Sequence, residues 1–464
     1  MFFTVLLQII FFSSLFTACS PHTIDLQPEP LTKGPIAYSI HPAEDAALNQ
    51  AWYESFGDRK LSLLIREALA NNLDIRQALA RLAQAEAIMQ QSAHRYYPEV
   101  NLNAGWSKKW EDGRQRSRQS DAGLALSWEV DAFNRLRSLA TADRLLRDAA
   151  AHDVAAVRLN LAATMAETYY SAVAWHIQLN LLHEQAALDK KFLNLIELRF
   201  RQGVGTNVDV LQQRSQLSLT QSLIPPAEAA LRVFENRVDV LLGMPPDAQN
   251  RTSSEDRFAS VSDVPPLGVP TDLLLQRPDL RARRDRLVAV DADIAAALAD
   301  RLPRLTLTGT YFYADGPGTT SPIGSIFANL VQPLLDWGRR KAVVERNQAL
   351  YEEHLAAFTL AYLEAIEEVE NALYQENRQR EYVFLLNERR DVLEQNVAAA
   401  QEVFQQGLSD YLPVLNALQE LRQVERNLVQ QQLNLILQRI QLFRSLGSPI
   451  ASKEKAVAKT KVKK

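Results

Sequence analysis

Apolar and polar positions along this chain follow two different periods. Over 100–110, Val100, Leu102, Ala104, Trp106 and Trp110 share one side, interrupted by Lys108, while Asn101, Asn103, Ser107 and Lys109 take the other. Over 122–131, Ala122, Leu124, Leu126, Trp128 and Val130 stand against Gly123, Ser127, Glu129 and Asp131. Leu305, Leu307, Tyr311 and Tyr313 alternate with Thr306, Thr308 and Thr310, and 325–335 continues the pattern less clearly. A period of two marks a strand with one apolar face. Four strands are therefore expected, at about 98–110, 122–132, 304–314 and 325–335. The polar stretches within each pair, 111–121 and 314–324, read as long loops.

Elsewhere the punctuation is that of helices. No glycine lies between Gly123 and Gly203 or between Gly338 and Gly407, and no proline between Pro98 and Pro225 or between Pro333 and Pro413. Stretches of about 65 residues rich in Ala, Leu, Gln, Glu and Arg predict helices on the order of 100 Å long. Each ends at a glycine suited to a left-handed cap, and a second helix follows. The turns are 203–207 and 407–410, where Thr206, Asn207, Ser409 and Asp410 are candidate N-caps. The first returning helix contains Pro225-Pro226, a predicted break; the second contains no equivalent.

The two halves repeat one another. Asp74 matches Asp279, Pro98 matches Pro303 and Asp131 matches Asp336, all 205 apart; Gly203 matches Gly407 and Gly243 matches Gly447, 204 apart. Each half reads as helix, two strands, long helix, turn, helix. The resulting division is 1–18 signal, 19–60 tether and entry segment, 61–250 first repeat, 251–270 linker, 271–450 second repeat and 451–464 basic tail.

The chain begins with an apolar run of 18 residues without a charged side chain, followed by Cys19, the sole cysteine. This is the pattern of an export signal. Thr17-Ala18-Cys19 resembles the end of a bacterial lipobox, which makes Cys19 the expected site of lipidation. Five prolines in 21–42 read as an extended tether. With 464 residues, 47% of them hydrophobic, the chain can build large cores, and 51 basic against 55 acidic residues give no drive toward nucleic acid. An intrachain disulfide is excluded, and no metal cluster, phosphate loop or nucleophile–base pair points to an enzyme. His176 and His183, seven apart, fit heptad positions better than metal ligands. Glu364, Glu367, Glu368 and Glu370 read as a solvated helix face, with a water-filled lumen as the alternative.

Strands of about ten residues with one apolar face suit a membrane barrel. Such strands must close on themselves, because open edges cannot face lipid. Four cannot close; two chains give a nearly filled eight-stranded barrel, and three give twelve strands and an aqueous lumen. A trimer follows from the strand count together with the need for a channel. The alternative is soluble hairpins packed on their own helices.

The joint order of several motifs resembles the TolC-like outer-membrane factors, specifically the lipoprotein branch that works with resistance-nodulation-division pumps. They are Tyr97-Pro98, EVDAFNRLR (129–137), FRQGVGTNVDVLQQR (200–214), QRPDLRARR (276–284), QPLLDWGRR (332–340) and FQQGLSDYLPVLNALQELR (404–422). The resemblance spans the mature chain. It implies a mainly α fold with a small transmembrane β part: a long α-helical barrel and a twelve-stranded β-barrel, shared by a homotrimer. It also implies an outer-membrane exit duct reaching into the periplasm, coupled through a periplasmic adaptor to an inner-membrane pump. No cofactor is implied beyond the lipid on Cys19, and the only other partner is outer-membrane lipid.

In that family the hairpin tips close the tunnel. By the resemblance the constricting apolar residue is Leu412, with Val208 its counterpart in the first repeat, and the usual acidic positions fall on Pro413 and Asn416. A hydrophobic seal of Leu412 copies backed by Asn416, with Asp209 and Asp410 nearby, is the expected gate. Gly203, Gly205, Gly407 and Ser409 are the expected adaptor contacts. Two rival functions remain at this point. A type I protein-secretion conduit shares the architecture, and a lipid-anchored coiled-coil adaptor explains the helices but not the duplicated strands.

Overall fold

The computed structural model describes residues 20–32, 34–35, 38, 51–112, 114–253, 255–261, 276–316 and 319–447. The signal segment, Cys19, the later part of the linker and the basic tail lie outside the described residues. The elements are a 3-10 turn Trp52–Phe56, then α1 Arg59–Asn71, α2 Leu73–His94, β1 Glu99–Glu111, β2 Arg114–Val130, α3 Arg135–Arg201, α4 Asn207–Ser222 and α5 Ile224–Leu241. There follow α6 Pro278–Ala299, β3 Arg304–Gly316, β4 Thr319–Val331, α7 Arg339–Gln405 and α8 Leu412–Ser445. Helices α3 and α7 are both 67 residues long. Pro225 and Pro226 open α5, where the missing amide donors are not needed.

Two compact units can be distinguished. The first comprises the described parts of Met1–Lys33, Ala78–Val154 and Pro278–Tyr362. It holds one antiparallel sheet in the order β1-β2-β3-β4. Register puts Leu102 opposite Leu124, Leu124 opposite Tyr311 and Tyr311 opposite Gly324. Directly paired residues share a side, so the alternation seen in each segment becomes one continuous apolar face. Val100, Leu102, Trp106, Leu124, Leu126, Tyr311, Tyr313, Ile326 and Leu330 stand on it, all exposed. Asn101, Asn103, Thr306, Thr308 and Thr310 stand on the opposite face, where the hydroxyls of Thr310 and Ser325 lie 2.6 Å apart.

The ribbons are longer than the sequence predicts. The expected loops 111–121 and 314–324 are mostly strand, because β2 begins at Arg114 and β4 at Thr319. Pairing carries the ladder past the apolar stretch, with Ser107 opposite Gln119 and Lys108 opposite Arg118. These residues are polar on both sides and so carry no hydrophobic alternation. A register shift between Lys109 and Trp110 accommodates the change. β4 ends at Val331 rather than 335, and Pro322 fits within it because β4 is an edge of this sheet.

The sheet is joined to its helices by two related corners. Asp131 accepts from the amides of Leu136 and Arg137, both at 2.9 Å; Asp336 accepts from those of Gly338 at 3.1 Å and Arg340 at 3.2 Å. The left-handed residue each corner requires is Asn134 in the first and Trp337-Gly338 in the second. The chain start lies on the same unit as a strap. Asp291 of α6 accepts from His22 Nε2 at 2.6 Å and from the Asp25 amide at 2.8 Å. Ile24 packs on Ala142, Ala289 and Ala292, and the Leu31 amide donates to Thr359 Oγ1 at 3.1 Å.

The second unit comprises the described parts of Gly34–Gln77, Ala155–Arg277 and Leu363–Lys464. Its largest core gathers Trp52, Phe56, Leu61, Ile65, Met165, Tyr169, Tyr170, Ile440 and Phe443. The Trp52 ring stacks on Phe443 at 5.6 Å. The repeat shows as one joint made twice. Asn72 donates to the Leu241 carbonyl at 2.9 Å, and Arg277, one period on, donates to the Ser445 carbonyl at 2.9 Å. Glu235, fully buried, accepts from the amides of Arg251 at 2.6 Å and Thr252 at 3.0 Å, pinning the start of the linker to α5.

Candidate functional site

The two hairpin tips close with the same backbone motif. Gly203 (φ 76°) donates to the Phe200 carbonyl and Val204 to that of Arg199; Gly407 (φ 73°) donates to Phe404 and Leu408 to Val403. These are paired Schellman turns, which only a residue free of Cβ strain closes cheaply. Beyond the turns the hairpins differ. In the first, Thr206 caps α4 by accepting from the Asp209 amide at 3.2 Å, and the Asp209 carboxylate accepts in return from the Thr206 amide at 3.0 Å and hydroxyl at 2.8 Å. This capping box gives Asp209 a local role. In the second, neither Ser409 nor Asp410 caps. α8 begins at Leu412 after an uncapped Tyr411, with Pro413 in its first turn, and the Ser409 hydroxyl donates to the Asp410 carbonyl.

Tyr411 is absent from the sequence-based expectations, yet it holds the tip together. It is buried in a cluster of Ile196, Val210, Val397, Phe404, Val414, Leu415 and Leu418, drawn from all four hairpin helices. Its hydroxyl donates to Gln213 Oε1 at 2.5 Å, and burial pushes that phenol well above its ordinary 10.0. The guanidinium of Arg199 lies over the Phe404 ring at 4.3 Å. The expected gate residues are on the outside of this cluster. Leu412 is 47% exposed and Val208 60%, and Asp410 and Asn416 are exposed. Gly203 and Gly407 are open, with nothing within 4 Å of an added Cβ. Gly205 and Ser409 are half-buried.

Above the tip cluster lies a polar layer. Asp189 of α3 receives Arg422 of α8 at 2.6 Å and the Thr220 hydroxyl of α4 at 2.7 Å. The Gln419 amide donates to Gln216 Oε1 at 2.8 Å, and Gln185 donates to Glu425 at 2.9 Å. A second buried ion pair in the unit, within the second repeat, joins Glu376 of α7 to Arg439 of α8 through two hydrogen bonds. In the sequence, charged positions on long helices look solvated until their partners are known, and Arg422 meets Asp189 across 233 positions.

Among the described residues no cluster of three or more His, Cys, Asp or Glu side chains could hold a metal ion. His176 is buried beside Glu235 at 3.8 Å, whereas His183 is exposed. Among the described residues no helix is long and apolar enough to cross a membrane.

A sheet with one continuous apolar face, each half of it followed by a helix of 67 residues, is the arrangement that an outer-membrane conduit needs. Two stretches of the chain, residues 64–244 and 269–448, match the family model described as Outer membrane efflux protein. Each spans one repeat. The chain belongs to the outer membrane efflux protein family. It is 29% identical over 457 residues to the pyoverdine export outer membrane protein OpmQ of Pseudomonas putida KT2440, covering 93% of this chain and 94% of that one. It is 26% identical over 425 residues to the probable outer membrane lipoprotein SilC of Salmonella typhimurium, covering 88% and 90%. The fold superposes on the outer-membrane channel OprN with a TM-score of 0.84 and 26% identity, covering 91% of this chain and 99% of that one. The protein is thus an outer-membrane efflux duct extending into the periplasm.

Proposed function

We propose that the duct works as a homotrimer, receiving small molecules from an inner-membrane pump through a periplasmic adaptor. The observation that carries this reading is the sheet. Its four strands run β1 to β4 with one exposed apolar face, and within the sheet β1 and β4 each have only one neighbour. Such edges must be paired before they enter lipid. Joining β4 of one copy to β1 of the next supplies partners for both, and three copies give the twelve strands that leave a lumen. OpmQ is named for pyoverdine export, which supports small-molecule cargo.

A lipid on Cys19 completes the reading, in keeping with the lipoprotein description of SilC. Leu412, with Val208 and Asn416, forms the seal where the tips converge; Asp410 borders it, and Asp209 serves first as a cap. The open glycines Gly203 and Gly407, with Gly205 and Ser409, offer the adaptor a surface without bulk. The test is direct. The outer-membrane fraction should yield a trimer by native mass spectrometry that incorporates labelled palmitate at Cys19, and Cys19→Ser should abolish the label. A monomer released without detergent would overturn the trimeric reading. Co-purification of an inner-membrane pump, rather than a protein-secretion ATPase, decides the cargo class.

A further inference from the structure

The two ribbons of the sheet differ at their far ends. The first runs between α2 and α3 and the second between α6 and α7, so both turn on the side away from the helices. Toward the turn of the first, 108–118 carries five basic residues, Lys108, Lys109, Arg114, Arg116 and Arg118, against Glu111 and Asp112. The segment one repeat on, 313–323, carries no basic residue and one acid, Asp315. Polarity alone thus serves a turn in water, and the basic excess of the first ribbon needs another cause. Two of its cations stand on the membrane-facing side. Leu102 pairs with Leu124, Ala104 with Ala122, Trp106 with Ser120 and Lys108 with Arg118. Paired residues share a side and every second pair repeats it, so Lys108 and Arg118 continue the apolar face. Lys108 Nζ lies 4.8 Å from the centre of the Trp110 ring, and the exposed rings of Trp106 and Trp110 bracket the pair.

Like charges directly opposite one another destabilise a ladder. Among the described residues neither cation meets a carboxylate. Asp121 belongs to the other side of the sheet, opposite Gly105. The ladder to β3 stops at Asp315, opposite Ser120 and two residues short of Arg118. β4, the strand that closure would bring beside β1, contains no charged residue. The chain therefore sets two cations together and leaves them short of negative charge. Height shows where they lie. From Val100 to Lys108 the strand climbs about 27 Å along its axis, which is about 20 Å of membrane height at a tilt of about 40°. Long side chains carry their charges further, to the boundary of an apolar band about 25 Å tall. Tryptophan rings favour that same level. On the outer side this boundary meets the headgroup layer, where a phosphate can accept from a guanidinium and an ammonium together.

We propose that Lys108 and Arg118 form, in each chain, a clamp for the phosphate of a phosphorylated lipid headgroup in the outer leaflet. This rests on the membrane placement of the sheet. The full chain is reconstituted in phosphatidylethanolamine vesicles, and lipid A bearing two phosphates is the probe. A parent that fails to float with the vesicles would overturn the membrane placement and the proposal with it. In native mass spectrometry the parent should bind the phosphorylated lipid at least tenfold more tightly than its dephosphorylated form. Equal binding of the two would overturn the proposal alone. Lys108→Gln with Arg118→Gln should weaken binding about thirtyfold, and each single change about fivefold. A loss below threefold in the double variant would show that these cations do not hold the lipid. Inorganic phosphate in excess should leave the lipid in place; displacement would make this a site for free anions and overturn the lipid assignment. Should the double variant fail to insert, the parent with the two forms of lipid A decides.

Discussion

Removing the Glu376 carboxylate tests how dry the helical interior is. Glu376 is fully buried, and Arg439 at 3% exposure donates to both of its oxygens, Nε at 2.8 Å and Nη2 at 2.6 Å. Arg380 adds a third bond at 2.8 Å but is itself one-third exposed and can turn to water. Arg439, by contrast, is held away from solvent where it stands. Glu376→Ala takes away the carboxylate that this cation meets while leaving the cation buried, at a cost of about 3–5 kcal/mol. Glu376→Gln keeps the shape and one acceptor, for about 1.5–3 kcal/mol. Glu376→Leu with Arg439→Met removes both charges at similar volume and should lie within about 1 kcal/mol of the parent. At roughly 2 °C per kcal/mol for a long chain, Glu376→Ala should melt about 6–10 °C lower in detergent, followed by tryptophan fluorescence. The double variant should melt close to the parent. A Glu376→Ala protein that melts within a degree of the parent would refute burial, since water must then reach Arg439. A double variant as weak as Glu376→Ala would refute the claim that desolvation offsets the attraction.

Three further outcomes follow from particular contacts. A Cβ on Gly123 falls 2.3 Å from the Tyr311 carbonyl oxygen, whereas one on Gly309 meets nothing closer than 3.8 Å; Gly123→Ala should therefore cut the yield of heat-resistant trimer on gels severalfold while Gly309→Ala leaves it unchanged. Burial pushes the Glu235 carboxyl up, but His176, Thr252 and the amides of Arg251 and Thr252 outweigh it and hold the group below its ordinary 4.5; the stabilisation is present above that value and is lost as pH falls through the lower folded one, so protease cutting at 251–253 should rise only in that acid range. Leu412→Ala should raise open probability in planar bilayers severalfold if three apolar side chains exclude water at the mouth, and an unchanged value would count against the seal.

Much of the fold was legible because its signals are local. Gly203 and Gly407 mark the tips, Pro225-Pro226 marks the break between α4 and α5, and the alternating residues of β1 and β2 face one side as expected. The extension of β2 back to Arg114 was not legible, since a ribbon polar on both sides resembles a loop until its partner is known. Ser409 and Asp410 have the chemistry of caps but lie before a helix that starts on Leu412, with Pro413 setting its first turn. The exposed tip residues could be located through the family resemblance. Tyr411, Asp189 and Arg422 could not, because their meaning lies in partners on another hairpin.

The strap at the chain start has a consequence for the timing of biogenesis. Ile24 needs Ala142 and Ala289 together, Asp25 finds Asp291 266 positions later, and Leu31 finds Thr359 328 positions later. Residues 22–31 leave the export machinery well before their partners and are thus late to find their berth. They wait for the second copy of the fold to be delivered, and their docking reports that both copies have arrived.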